Sequence, residues 1–373
     1  MACCIEAFFY PIPTKAHVFK KSWTSCFLVF ASQALTAQTM PSAGGQMQQL
    51  PVLPSSSQTP IASPKVDGAL REPLTPSASP ALANAFMAMR MNVTGSRAYT
   101  QTELLRVAGF TPGQMVNVQT LNAMANNITL RYRRDGYLVA QAYVPAQDIQ
   151  DGVVTLAVLE GQYGQIRVNN TSTLQAAVPV QLLSGLNPAD PIIAAPLEDR
   201  LLRLSDVPGI QARATLVPGA SVGLSDLVVD VKPGPRVSGS VDADNAGNRY
   251  TGENRVGATV NVNNPSNRGD VITLRALTSG PGLQYLRAAY QMPVGQGRVG
   301  VAYSDLAYKL GHEFAALDAN GHARIVTVFG SQALVRSRNS NLYAGLSLDS
   351  KVFQDRLDAI ASVTDKRAQV FFF

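Results

Sequence analysis

Hydrophobic and polar positions follow different periods in two successive parts of the chain. Between residues 86 and 235, apolar residues recur at helical spacing in some segments and fill strand-length runs in others. After Arg236 the helical spacing disappears, and apolar and polar residues alternate with a period of two. The pattern therefore predicts an α+β region followed by an all-β region.

The α+β region begins with a module that spans residues 86–161. Its predicted elements are, in order, a strand at 86–93, a short helix capped by Thr100 or Thr102 and ended by Gly109, a longer helix, and strands at 138–144 and 153–159. The longer helix has an apolar stripe formed by Leu121, Met124, Ala125, Ile128 and Tyr132. The order is therefore strand, helix, helix, strand, strand.

The same order returns in a second module at residues 162–235. The predicted elements are a strand at 163–169, a helix at 174–186, a helix with Pro196 at its first position, and strands at 210–217 and 225–231. Leu197, Leu201 and Leu204 form the apolar stripe of the second helix. Such a repeat of one element order indicates two tandem copies of one architecture.

The all-β region, residues 236–373, consists of strand candidates separated by turn residues. They lie at 237–244, 255–262, 270–278, 284–291, 298–308, 323–334 and 342–349. Strands of about ten residues with one apolar and one polar face are typical of outer-membrane β-barrels. A soluble sandwich gives a similar alternation, so the pattern alone leaves both architectures open.

The N-terminal part of the chain reads as targeting and linker sequence. Lys20 and Lys21 precede a short apolar run that ends in small residues, which is the pattern of a secretory signal peptide over residues 1–37. Residues 38–85 are rich in Pro, Ser and Gln, and they predict a disordered or extended linker.

Composition excludes several classes of function. The net charge of +6 comes without a Lys/Arg run or a basic patch interleaved with aromatics, so we predict no nucleic-acid partner. All three cysteines lie within the first 26 residues, and the three histidines are scattered. We therefore predict no catalytic residues, no metal site and no cofactor.

One acidic motif has a calcium alternative. Asp242, Asp244, Gly247 and Glu253 match positions one, three, six and twelve of a calcium-binding loop. Ala246 stands at position five, where a ligand oxygen is needed, and strands flank the loop instead of helices. A hairpin turn accounts for the same residues, so we do not expect calcium there.

Several segments resemble one family in the same order along the chain. The first is GYLVAQAYVPAQ with its LEG ending. The later ones are VDADNAGNRYTG, NVNNPSNRGD, HEFAALDANGHA and LVRSRNSNLYAGL. They resemble the haemolysin secretion/activation proteins, the outer-membrane transporters of two-partner secretion (TpsB type), over residues 86–358. The two modules look like polypeptide-transport-associated (POTRA) domains with the order β-α-α-β-β.

This resemblance implies tandem periplasmic POTRA domains followed by an antiparallel transmembrane β-barrel, only partly present in the chain. It also implies capture of an unfolded, secreted haemolysin- or adhesin-like exoprotein, which could add a strand to an open sheet edge. The expected partners are this exoprotein, outer-membrane lipid, and the barrel-assembly machinery for insertion. The candidate edge residues are Leu138, Val139, Ala140, Gln141, Ala142, Tyr143, Val144, Ile210, Ala212, Ala214 and Leu216. For each of these residues, the alternative is that it belongs only to the hydrophobic core of its module.

The chain also departs from the family. It resembles only the first half of a barrel of about sixteen strands, so we expect a truncation or frame change near Thr364, and this copy would then be inactive. The linker shows no clear helix of the kind that plugs the pore in relatives, so we do not expect a plugged pore. Two other functions remain open: a POTRA-bearing barrel-assembly factor, and a periplasmic peptide-binding protein.

Overall fold

The fold is taken from a computed structural model that describes residues 40–50, 65–66 and 85–373, with the backbone alone for 65–66. Apart from Met40, these residues belong to one unit, Pro41–Phe373. The predicted signal peptide and the three cysteines lie outside the described residues. Within those residues, no helix is both long and apolar enough to cross a membrane.

Two elements lie in the segment predicted to be a disordered or extended linker. Helix α1 spans Ala43–Gln48, and strand β1 spans Lys65–Val66. The prediction of disorder is therefore wrong for α1. Ser42 caps the helix by accepting a hydrogen bond from the Gly45 amide at 3.4 Å. Two glycines in six residues give this helix a low intrinsic propensity, so its contacts with other parts of the chain stabilise it.

The first module has a three-stranded sheet with two helices on it. Its elements are β2 (Phe86–Ala88), β3 (Arg90–Thr94), α2 (Gln101–Ala108), β4 (Gln114–Val116), α3 (Val118–Arg134), β5 (Gln141–Tyr143) and β6 (Val153–Leu159). The sheet order is β3-β6-β5, with β3 parallel and β5 antiparallel to β6. All five predicted stripe residues of α3 are buried, as the helical spacing predicted.

Local signals set the ends of the first helix. Thr100 caps α2 in a capping box with Glu103, and Gly109 ends the helix at φ 78°. The strand predicted at 86–93 is interrupted instead, because the amides of Met89 and Arg90 both donate to the Gly152 carbonyl at 2.8 and 3.2 Å. As a result β2 pairs with β4 in a separate ribbon, and only β3 joins the main sheet.

The second module repeats this architecture. Its elements are β7 (Gln162–Asn170), α4 (Ala177–Leu182), α5 (Ala194–Ser205), β8 (Ile210–Pro218) and β9 (Leu224–Pro233). The sheet order is β1-β8-β9-β7, so β9 occupies the position that β6 has in the first module. Leu197, Leu201 and Leu204 are buried in its core.

Both helices of the second module differ from prediction in their bounds. The helix predicted at 174–186 is only six residues long, because Asn170 and Ser172 hold the preceding segment in a turn: the Asn170 side chain donates to the Leu174 carbonyl at 2.7 Å. Pro196 is the third residue of α5, not the first. It remains in the first turn, where the missing N–H has no helical acceptor.

The all-β region forms one eight-stranded antiparallel sheet with β10 and β17 at its edges. Its strands are β10 (Val237–Asp244), β11 (Arg255–Asn263), β12 (Val271–Thr278), β13 (Leu283–Val294), β14 (Gly297–Lys309), β15 (Ala319–Arg336), β16 (Asn341–Leu357) and β17 (Ser362–Phe372). Thr364 pairs with Asp355, and β17 pairs with β16 along its whole length. The truncation or frame change expected near Thr364 stays a prediction.

The two faces of this sheet differ in polarity, as the alternation predicted. In β11, Arg255 and Thr259 are buried, whereas Val256 and Val260 are 54% and 43% exposed. An exposed apolar face and a covered polar face are the arrangement of a barrel wall in lipid. The residues of the calcium alternative take part in ion pairs: Asp244 binds Arg255 at 2.8 Å, and Asp242 lies on the polar face beside Arg275.

Candidate functional site

The edge predicted at 138–144 in the first module is much shorter in the structure. Strand β5 contains only Gln141–Tyr143, which pairs with β6. Ala140 and Ala142 are buried in the core of the module, and Val144 packs against that core. The candidate site of seven residues is therefore reduced to three residues in strand conformation.

The outer side of β5 is also partly closed. The Ala142 amide donates to Thr129 Oγ1 of α3 at 2.9 Å, and that hydroxyl donates to the Ala125 carbonyl at 3.1 Å. Because N–H groups alternate sides along a strand, Ala142 is the residue of β5 whose amide points away from β6. Helix α3 thus already accepts a hydrogen bond from the Ala142 amide, which an added strand would need as a donor.

Leu138 and Val139 lie at the contact between the two modules, which we call the joint. Both pack against the core of the second module. The Leu138 amide donates to the Ile192 carbonyl at 3.2 Å, and the Ile192 amide donates to the Gly161 carbonyl at 3.0 Å. A Cβ on Gly161, which has φ 77°, would lie 2.1 Å from the Val139 side chain. This close approach explains why glycine ends the first module.

A buried carboxylate next to Gly161 connects three segments of the first module. Glu160 accepts hydrogen bonds from the amides of Arg97 and Ala98 at 2.7 and 2.8 Å, and from the Tyr132 hydroxyl at 2.9 Å. Burial raises the pKa of Tyr132, and its hydrogen bond to Glu160 adds to the rise. In the second module, burial raises the pKa of Tyr163 to about 12, so both tyrosines stay neutral and keep their protons.

The edge predicted in the second module is a full strand, as expected. The side chains of the candidates Ile210, Ala214 and Leu216 are buried in the core, and Ala212 packs against it. These four residues can therefore offer only main-chain groups to a partner. Gln211 and Arg213 lie between them with exposed side chains, a signal that the period of two already contains.

The outer side of β8 carries a short strand from elsewhere in the chain. Lys65 and Val66 of β1 pair in parallel with Thr215 and Leu216. No other described strand pairs with the outer side of β8 between Ile210 and Ala214. An extended segment thus already occupies one end of this edge, and five residues remain beside it.

The second module is attached to the eight-stranded sheet at the start of β14 and the end of β15. Asp206, at the end of α5, accepts two hydrogen bonds from Arg336 at 2.8 Å each, and its carbonyl accepts one from Arg298. Arg338 forms an ion pair with Glu198 at 2.9 Å. Sequence reasoning missed this contact because the partners are more than 90 residues apart.

Helix α1 lies against the covered face of the barrel sheet, so the expectation that no helix occupies the pore side is wrong. Ala43 is buried among apolar residues of β12, β14 and β15. Its amide donates to Asp355 at 2.8 Å, and Thr251 donates to the Gln46 side chain at 3.0 Å. Ser42, a good N-cap residue, was the one sequence signal for this helix.

The edges offer main-chain hydrogen-bonding groups to a partner. Among the described residues, no group of His, Cys, Asp or Glu side chains could hold a metal ion. Comparison with known families identifies the modules. The family described as "POTRA domain, ShlB-type" matches residues 86–161, and "Haemolysin secretion/activation protein ShlB/FhaC/HecB" matches residues 223–366. The chain belongs to the haemolysin secretion/activation protein family. The fold class predicted from the sequence, POTRA architecture followed by part of an antiparallel barrel, is confirmed.

Individual members of the family are similar over much of the chain. The heme/hemopexin transporter protein HuxB of Haemophilus influenzae (strain 86-028NP) is 33% identical over 259 residues, which cover 68% of this chain and 46% of HuxB. The outer membrane transporter CdiB of Escherichia coli O6:K15:H31 (strain 536 / UPEC) is 28% identical over 184 residues, or 48% of this chain and 30% of CdiB. The chain spans about half the length of the curated relatives it matches.

A solved structure supports the fold. The structure of CdiB from Escherichia coli matches with a TM-score of 0.59 and 22% identity, covering 82% of this chain and 59% of that one. At this identity the match shows the fold alone. The predicted location, the outer membrane with POTRA domains in the periplasm, follows from membership in the family.

Proposed function

We propose that this chain is the receiving part of a two-partner-secretion translocator. It captures an unfolded exoprotein in the periplasm by adding a client strand to the edge of β8, beside residues Ile210 to Ala214. The pairing of β1 with Thr215 and Leu216 carries this proposal, since it is an extended segment already added to the same edge. Main-chain hydrogen bonds of this kind accept many sequences, as an unfolded client requires.

The position of β8 supports transfer of the client to the barrel. The C-terminal end of α5, which leads into β8, is held by Arg336 and Arg298 at the periplasmic turns of the sheet. A segment bound along β8 would thus lie on the module that contacts the barrel directly. The first module is connected to the second module, and through it to the barrel, at the joint between Leu138 and Ile192. Its β5 edge serves as a secondary contact for the client.

The names of the relatives support a transport role. HuxB is named a heme/hemopexin transporter protein and CdiB an outer membrane transporter, and neither name denotes an enzyme. We propose the same for this chain, with a haemolysin- or adhesin-like exoprotein as client, outer-membrane lipid around the apolar face, and barrel-assembly machinery for insertion. Membership in the haemolysin secretion/activation protein family favours this role over a barrel-assembly factor or a periplasmic peptide-binding protein.

Site-specific crosslinking tests the proposal. A photoreactive residue replaces Arg213, whose exposed side chain stands on the free part of β8, in the full chain in detergent micelles. The client is a secreted haemolysin-type polypeptide kept unfolded by dilution from urea. We expect a crosslink at Arg213, and at most one-fifth of that yield from the matched position Arg167 on β7, the opposite edge of the same sheet.

The two positions make the result decisive. Equal crosslinking at Arg213 and Arg167 would show that the client contacts the module without preference for the β8 edge, and strand addition there would be refuted. Crosslinking that persists with a folded client of the same sequence would refute the requirement for an unfolded segment, because most main-chain groups of a folded client are already paired within its own structure.

A further inference from the structure

The outward face of β14 to β17 carries charged and polar side chains near one end of the strands. Cross-strand pairing places Asp305 opposite Arg324, Lys309 opposite Asn320, and Asn320 opposite Arg356. These positions face outward because they alternate with buried neighbours such as Ser304 and Ala323. The register places His322, Gln354, Asp365 and Arg367 on the same face. We define the rim patch as Asp305, Lys309, Asn320, His322, Arg324, Gln354, Arg356, Asp365 and Arg367.

The rim patch lies at the extracellular end of the sheet. Strand β15 runs from Ala319 to Arg336, and Arg336 contacts Asp206 of the second module. Since that module is periplasmic, the other end of β15, where His322 and Arg324 lie, points toward the cell exterior. The antiparallel pairing with β14, β16 and β17 puts the rest of the rim patch at the same end.

An apolar band lies below the rim patch on the same face. Val301, Val328, Leu348 and Phe371 form one cross-strand row, and all four are exposed. A row of exposed apolar side chains on every strand is the part of a barrel wall that contacts hydrocarbon. The charges therefore begin where the hydrocarbon ends, at the level of the outer-leaflet head groups.

The shorter strands provide an internal comparison. On β10 to β13, the outward positions at the same end are Val241, Ala243, Val256, Ala258, Ala276, Thr278, Gln284 and Leu286, none of them charged. Contact with water at this end of the sheet does not require charged outward side chains, because the outward positions of β10 to β13 carry none. The charge is concentrated on one sector about 14 Å across, from the usual strand spacing over four strands.

The charges in the rim patch do not cancel. Arg324 pairs with Asp305 at 3.4 Å, and Lys309 pairs with Asp318 of the adjoining loop at 2.7 Å. Asp365 accepts a hydrogen bond from Gln354 at 3.0 Å. In the described part of the chain, no ion pair involves Arg356 or Arg367. Two exposed guanidinium groups thus remain on adjacent strands for an anionic partner.

We propose that the rim patch binds the phosphate groups of lipids in the outer leaflet. A guanidinium offers two parallel N–H donors that match phosphate oxygens, and Arg324, Arg356 and Arg367 stand on three adjacent strands facing the lipid. A lipid anchored there fixes the height of this sector of the wall in the membrane. The proposal concerns lipid alone and does not depend on capture of a client.

Binding of a diphosphorylated lipid A tests the proposal. The full chain, folded in zwitterionic detergent, is titrated with fluorescent diphosphorylated lipid A, and affinity is read from fluorescence anisotropy. The triple substitution Arg324→Gln, Arg356→Gln and Arg367→Gln is expected to weaken binding about 100-fold, since each Lys or Arg near anionic lipid contributes roughly fivefold. Higher salt is expected to weaken binding to the unsubstituted chain.

Two controls and one further variant show whether loss of the phosphate contacts causes the loss of affinity. A charge-matched triple substitution to Gln at exposed Arg90, Arg106 and Arg134 of the first module is expected to leave the affinity unchanged. Dephosphorylated lipid A is expected to bind both triple variants equally and weakly. If the rim triple fails to fold, the single substitution Arg356→Gln is used, with an expected loss of about fivefold.

Two results would overturn the proposal. Unchanged affinity of the rim triple variant or of Arg356→Gln for diphosphorylated lipid A would exclude the rim patch as the site. Displacement of the lipid by inorganic phosphate at equal concentration would show a site for free phosphate, without any requirement for a lipid.

Discussion

The edge strands of the two modules occupy the same place in the same architecture, yet they differ in what they offer. Strand β5 has three residues, and the Ala142 amide on its outer side is bound to Thr129. Strand β8 has nine residues, and β1 covers only two of them. Strand length and the contacts of the outer side therefore decide which edge keeps main-chain groups open for the strand addition that we propose.

The modules also differ in how they are held. The second module binds the barrel turns through Asp206 and Arg336, whereas the first module is held at the joint around Ile192. The edge with more free length is thus on the module nearer the barrel. Under the proposed function, a client first contacts the first module and is then captured at β8. Four substitutions test this difference between the two edges.

The largest effect is expected from loss of the barrel contact. Substitution of the buried Arg336 by Ala leaves the Asp206 carboxylate without its bidentate partner, and removal of one member of a buried pair costs about 3 kcal/mol. We expect the second module to become more sensitive to urea in pulse proteolysis, with the first module unchanged. The more exposed pair offers the control: Arg338→Ala, which removes the guanidinium paired with Glu198, should cost less than about 1 kcal/mol. Equal losses of stability from Arg336→Ala and Arg338→Ala would mean that the burial of an ion pair does not set its contribution.

A smaller effect is expected at the closed edge. Thr129→Val removes the acceptor of the Ala142 amide, and an unsatisfied buried donor costs about 1 to 3 kcal/mol. The first module should lose stability by that amount, while client crosslinking from a photoreactive residue at Tyr143 should rise. Thr129→Ser keeps the hydroxyl and serves as the control. If Thr129→Val leaves crosslinking at the level of the serine variant, the hydroxyl does not close this edge.

A similar but weaker effect is expected where β1 covers β8. Val66→Pro places a residue without an N–H in β1, where Val66 is the register partner of Leu216, and we expect this to weaken competition for the edge by about 1 kcal/mol. Client crosslinking at Arg213 should then increase about fivefold. Val66→Ala keeps the N–H and serves as the control, and it should have no effect. If both substitutions raise crosslinking equally, loss of the valine side chain is responsible, and the missing N–H is not.

The smallest effect is expected at the start of α2. Hydrogen bonds from the Thr100 amide and hydroxyl lower the pKa of Glu103. A carboxylate whose pKa is lowered by folding stabilises the native state above its unfolded pKa of about 4.3, and this contribution disappears as pH falls through the folded value. Glu103→Gln should slightly lower the thermal midpoint of the first module at pH 7 and make no difference at pH 2. A constant difference at both pH values would exclude the charge as its cause.

Much of the fold was predictable from periodicity because burial is regular in long elements. The stripe from Leu121 to Tyr132 and the alternation of Val256 and Val260 were both confirmed by burial. Short elements were predicted poorly. The interruption at Met89 depends on two amides that bind Gly152, more than 60 residues away, and no local pattern contains that contact.

The candidate site was only partly predictable for the same reason. Alternation located β8, but the same alternation in 138–144 could not show that Leu138 and Val139 pack on the second module. The helix α1 was missed because Gly44 and Gly45 lower its intrinsic propensity, and contacts with the barrel wall stabilise it instead.

The order of elements, the repeated module, the change to strand period after Arg236 and the family can all be predicted from the amino-acid sequence. These depend on local spacing and composition, which each segment carries wherever it lies. Three properties came from the folded structure: the edge closed by Thr129, the edge shared with β1, and the outward arginines that form no ion pair within the described residues. Those properties depend on atoms that are distant in the chain, so they exist only once the chain is folded.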